Sequence, residues 1–166
     1  MKNARRIISL TLTLIVVLAF GSLAASADFD GYGDTEIIYS DEAITIYATE
    51  FDVSERPMPM YIKDHVQGTA DPTQEFTFQC EPDEGNVFRL EVSNTDSEND
   101  MRLEIECEVP RNSPMNIVDY IDPGKGKIYS VEDNTGAGLD IECVTVISAY
   151  RADTVEYDYY ALQTTD

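Results

Sequence analysis

The chain has 166 residues, enough for one domain with a core of its own. Its 32 acidic residues outnumber 11 basic ones for a net charge of −21, a field that repels nucleic acid and anionic lipid and attracts cations and basic proteins. Nucleic-acid binding is therefore excluded, while solubility, adaptation to salt and a cationic partner all fit.

The N-terminus reads as an export leader. Lys2, Arg5 and Arg6 form a basic start, residues 7–18 are apolar apart from Ser9, Thr11 and Thr13, and Ala25-Ser26-Ala27 supplies a small-residue cleavage site. The same apolar run, extended to Leu23, approaches the roughly 20 residues that span a bilayer, but its polar interruptions suit a cleaved signal peptide over residues 1–27 better. Cleavage would leave residues 28–166 with 8 basic and 32 acidic side chains, a net charge of −24. No Cys near the cut offers a lipid anchor, and the last residues carry no apolar tail. The expected location is secreted or extracellular, with cell-wall space or periplasm as variants, and the leader's style suggests a bacterium.

Residues 28–34, with Gly31 and Gly33, read as a flexible acidic lead-in. Residues 35–39 and 43–51, split by Ser40-Asp41-Glu42, predict a hairpin, and residues 58–63 are an edge-strand candidate limited by Pro57 and Pro59. Residues 75–80 put Phe76, Phe78 and Cys80 on one side. Phe88, Leu90 and Val92 alternate with Arg89 and Glu91; then Leu103, Ile105, Cys107 and Val109 alternate with Arg102, Glu104, Glu106 and Glu108. The polar stretch between them, residues 93–100, predicts the acidic tip of a second hairpin. Residues 115–121 are the only segment that suits a turn or two of helix. Further strands are expected at 127–131, 139–149 and 155–162, the last with Tyr157 and Tyr159 inward and Tyr160 exposed.

Eight or nine short alternating strands predict an all-β fold, a single antiparallel β-sandwich of jelly-roll or immunoglobulin-like type over residues 35–166. Its strand rhythm is similar to that of jelly-roll accessory modules of secreted bacterial enzymes, a likeness that transfers no residue. The pentapeptides at 103–107 and 139–143 both alternate apolar with acidic residues. Because Glu104, Glu106, Asp140 and Glu142 would repel across a ladder, these two strands are not expected to be neighbours.

Little in the chain carries chemistry. Cys80, Cys107 and Cys143 fall on the apolar parity of their strands and read as small buried hydrophobes. An oxidising exterior also permits one disulfide among three pairings, Cys107–Cys143 being worth roughly 3 kcal/mol by loop entropy. His65 is the one imidazole, so Cys–His or Ser–His–Asp catalysis has a single available base and no nucleophile elbow beside it. Paired carboxylates for glycoside hydrolysis arise by chance among 32 acids. Asn94, Asp96, Glu98 and Asp100 offer alternating oxygens to calcium, and Asp28, Asp30 and Asp34 a looser set, but both lack the EF-hand spacing and read as solvated acidic turns. No catalytic, cofactor or metal residue is therefore assigned. The expectation is a secreted, acidic, non-catalytic monomer that binds an extracellular protein or glycan, with a carbohydrate-binding module and a small hydrolase as alternatives.

Overall fold

A computed structural model describes residues 34–56, 64–108 and 115–165. The leader, nearly all of the lead-in and the strand candidate at 58–63 lie outside the described residues. Among the described residues ten strands form two antiparallel sheets: β1 (Thr35–Ser40), β2 (Ile44–Asp52), β3 (Asp64–Ala70), β4 (Thr73–Gln79), β5 (Val87–Asn94), β6 (Met101–Glu108), β7 (Met115–Ile121), β8 (Lys125–Asp133), β9 (Glu142–Ala149) and β10 (Val155–Thr164). One sheet has the order β1-β2-β8-β5-β10-β3, the other β4-β9-β6-β7.

The pairing is nested. β6 pairs with β7, β5 with β8, β4 with β9 and β3 with β10, so each pair encloses the one before it. A long antiparallel ribbon rolled in this way is a jelly roll, which decides between the two sandwich types left open by strand rhythm. β1 and β2 then extend the first sheet beyond β8. β3 lies over β4 and β9, and β7 over β8, so the six-stranded sheet projects past the four-stranded one.

The core is the inward parity of both sheets. Ile46, Leu90, Val92, Leu103, Ile147 and Ala161 are fully buried in one cluster. Tyr157 and Tyr159 point inward as their alternation requires, and the Phe76 ring stacks on Tyr159 at 4.1 Å and meets Tyr157 edge-on at 5.7 Å. Asp41 shapes the β1–β2 hairpin by accepting the N–H groups of Ala43 and Ile44 through Oδ1.

Four expectations are corrected. β5 and β6 do not form a hairpin: β5 pairs with β8 and β10, β6 with β7 and β9. The acidic stretch between them carries the chain from one sheet to the other, and buried Asn94 holds the crossing by donating to the carbonyls of Asn99 and Ile121. Residues 115–121 form strand β7 rather than helix; apolar side chains on both faces hid the period of two. β6 and β9 are neighbours, because the antiparallel register sets Glu104 opposite Val146 and Glu106 opposite Val144 and leaves only Glu108 against Glu142. The last strand before β10 begins at Glu142, not Leu139, although Leu139 and Ile141 are buried just ahead of it. β3 went unpredicted because an edge strand reading Asp-His-Val-Gln-Gly-Thr-Ala exposes most of its length.

Candidate functional site

The overhang of the six-stranded sheet creates a cleft. β1, β2 and β8 form one wall and β7 the other, around a volume of about 380 Å³. A one-residue irregularity between Ile37 and Tyr39 turns Tyr39 to the side of Ile46, so Ile38 and Tyr39 both reach the cleft with Met115 and Ile117 opposite. Asp119 sits on the inward parity of β7. Lys127 Nζ lies 2.7 Å from its Oδ2, and the Tyr129 hydroxyl donates to the same oxygen at 2.7 Å. Burial pushes the Asp119 carboxyl up, but these two donors more than offset that and hold it below the ordinary range. The Tyr129 hydroxyl is pushed up by burial and by its bond to Asp119. The cleft thus combines apolar walls with a fixed polar floor, the usual make-up of a ligand site.

A second cluster lies on the outer face of the same sheet. After β2 the chain makes a single 3-10 turn, Val53–Glu55, tied down by the Val53 N–H to Gly124 O bond. Arg56 then lies over β5 and β10. Its guanidinium pairs with Glu91 and with Asp158 at 2.9 Å, and sits 3.8 Å above the Tyr160 ring. His65 stacks on Tyr160 at 4.1 Å with its Nε2 2.7 Å from Asp158 Oδ1. Gln67 Nε2 and the Tyr160 hydroxyl donate to Asp158 Oδ2. Glu91 and Asp158 are each only 4% exposed; burial pushes the Glu91 carboxyl up and Arg56 pulls it partway back.

His65 and two neighbouring carboxylates do therefore meet, as a hydrolase would need. Arg56 stands between the carboxylates, however, and Asp158 already accepts from four side chains, so this arrangement anchors the chain just after β2 to the sheet. Sequence reading missed it because Glu91 and Asp158 occupy the outward parity, where acids ordinarily meet water.

The remaining candidates do not converge on a ligand. Asp96 Oδ1 accepts the N–H groups of Glu98 and Asn99, which holds its carboxyl low, and Asn94 is turned into the interior, so the oxygens of this loop serve its own backbone. Among the described residues no three His, Cys, Asp or Glu side chains are placed to hold a metal ion. All three cysteines are buried, with Cys107 opposite Cys143. Tyr160 is less exposed than its parity predicts, being covered by Arg56 and His65.

No family model and no curated protein matches the chain. Among solved structures it is similar to the cupin domain of Drosophila melanogaster CENP-C, at 12% identity over 69% of this chain and 75% of that one with a TM-score of 0.18. It is also similar to an RmlC-like cupin protein from Desulfovibrio desulfuricans, at 12% identity over 76% and 91% with a TM-score of 0.14. Superpositions this loose carry no argument, and the fold rests on the strand pairing itself.

Proposed function

We propose that the chain is an exported, acidic, non-catalytic binding protein, and that its β1–β7 side takes an extended apolar segment of a basic protein partner. One observation carries the reading: of the six large hydrophobic residues exposed among the described residues, Ile37, Ile38, Tyr39, Val118 and Tyr120 all lie on β1 and β7, the two strands that flank the cleft. Among the described residues each ends its sheet, and the open edge of a sheet offers backbone donors and acceptors to an added strand. Apolar side chains beside such an edge supply affinity, and the net charge of −21 draws in a cationic partner. The leader over residues 1–27 supports an extracellular setting. A glycan platform is a weaker fit, since the exposed Tyr120 ring meets Tyr150 at 68° rather than lying flush with it.

The test is a titration of isotope-labelled protein with an alternating Lys-Val peptide, followed by NMR, alongside cell-wall glycans. Shifts concentrated on β1 and β7, and lost in an Ile37→Asp, Val118→Asp variant, are expected. Shifts spread evenly over the acidic surface, a response to glycans alone, or self-association through β1 would overturn the proposal.

A further inference from the structure

Cys107 and Cys143 lie on adjacent strands of the four-stranded sheet, and Cys80 just past the end of β4 beside them. Cys107 on β6 and Cys143 on β9 are direct cross-strand partners, both 1% exposed, with their sulfurs 2.7 Å apart. Cys80 follows the last paired residue of β4, and its N–H bonds the Ile141 carbonyl, so it stands diagonal to Cys143 rather than opposite it. Directly opposed residues of an antiparallel pair have Cα atoms about 4.5 to 5.5 Å apart, inside the range of about 4.4 to 6.8 Å that a disulfide accepts. Closing the sulfurs to the covalent length of about 2.05 Å needs a shift of less than about 1 Å.

We infer that Cys107 and Cys143 are joined by a disulfide in the exported protein, with Cys80 excluded from the bond. The step is a thiol–disulfide exchange with an oxidised dithiol donor. The Cys107 thiolate attacks a donor sulfur to give a mixed disulfide and release one donor thiolate. The Cys143 thiolate then attacks the Cys107 sulfur and expels the second, so two protein thiols are oxidised, the donor disulfide is reduced to the dithiol, and the two protein protons pass to the donor thiolates. In the folded chain the thiolate is scarce, because the contact with Cys107 and burial both push the Cys143 thiol up. Both side chains are 1% exposed in the folded chain, so an oxidant reaches them most readily before the other sheet covers β6 and β9, and the closed bond is shielded from external reductant. It cross-links residues 36 apart, which lowers the unfolding equilibrium constant by roughly two to three orders of magnitude in the loop-entropy account. The inference uses the export reading only for its oxidising surroundings, and holds or fails independently of the β1–β7 partner.

The test refolds the full chain from denaturant in a glutathione redox buffer and traps remaining thiols with an alkylating reagent under denaturing conditions. Intact mass should show one alkylated thiol, and a non-reducing peptide map should recover the Cys107 peptide linked to the Cys143 peptide. Cys80→Ala should leave that link in place, and Cys143→Ala should leave the remaining two thiols alkylated. Three alkylated thiols in the wild type, or a link that includes Cys80, would overturn the inference, and neither readout depends on any variant folding.

Discussion

Replacing Arg56 by Met probes the buried charge cluster directly. The guanidinium pairs with both Glu91 and Asp158, each 4% exposed, with Arg89 a lesser attraction on Glu91, and its removal leaves their charge short of a partner in a dry site. Breaking one side of a buried ion pair costs about 3 to 5 kcal/mol. At about 3 °C per kcal/mol for a domain of this size, the melting midpoint should fall by roughly 10 °C. The loss should depend on pH with a definite sign. Glu91 is already raised by burial despite Arg56, so without Arg56 its folded value climbs further above the unfolded one. Between those two values the folded state holds more protons, and stability then rises as pH falls. Urea titrations should therefore show the Arg56→Met deficit largest near about pH 8 and smaller near about pH 5. Adding Glu91→Leu should recover part of it by removing the stranded charge. A deficit under about 1 kcal/mol, or one equal at both pH values, would show that the cluster is hydrated and does not pin the chain after β2.

Three further outcomes follow from single sites. Gly138 has φ +87 and a Cβ there would collide with the Pro82 carbonyl, so Gly138→Ala should destabilise by at least about 2 kcal/mol in denaturant titration. Asp133 is raised by burial but lowered overall by donors from Thr135 and Gly138; its stabilisation is present above the ordinary carboxylate range and lost as pH falls through the depressed value. Asp133→Ala should accordingly cost about 1 kcal/mol at neutral pH, with the gap to wild type closing on acidification. Since Asp96 already serves the backbone of its own loop, sodium and calcium at matched ionic strength should raise the melting midpoint equally by screening the net charge. A calcium-specific increment removed by Asp96→Asn with Asp100→Asn would contradict that.

The face of each well-patterned strand was legible without coordinates. Leu103, Ile105 and Cys107, or Tyr157 and Tyr159, announce their inward side because successive side chains in a strand alternate and water tolerates only one of the two sets. Edge strands escaped this logic: β3 is polar and has little to bury, while β7 carries apolar side chains on both faces, one turned to the core and one flanking the exposed edge. Strand partners also lay beyond local pattern, since register is a choice among distant segments. It was register that set Cys107 against Cys143, and Glu104 and Glu106 against valines, where a reading of matched pentapeptides expected repulsion. The same holds for Glu91 and Asp158, whose outward parity signals solvent until the chain after β2 lays Arg56 across them. Alternation along the chain therefore determined the class of fold and the composition of its core. The jelly-roll winding, the cleft under the overhanging β1 and β2 and the buried charges arose only when long-range pairing decided which surfaces face one another.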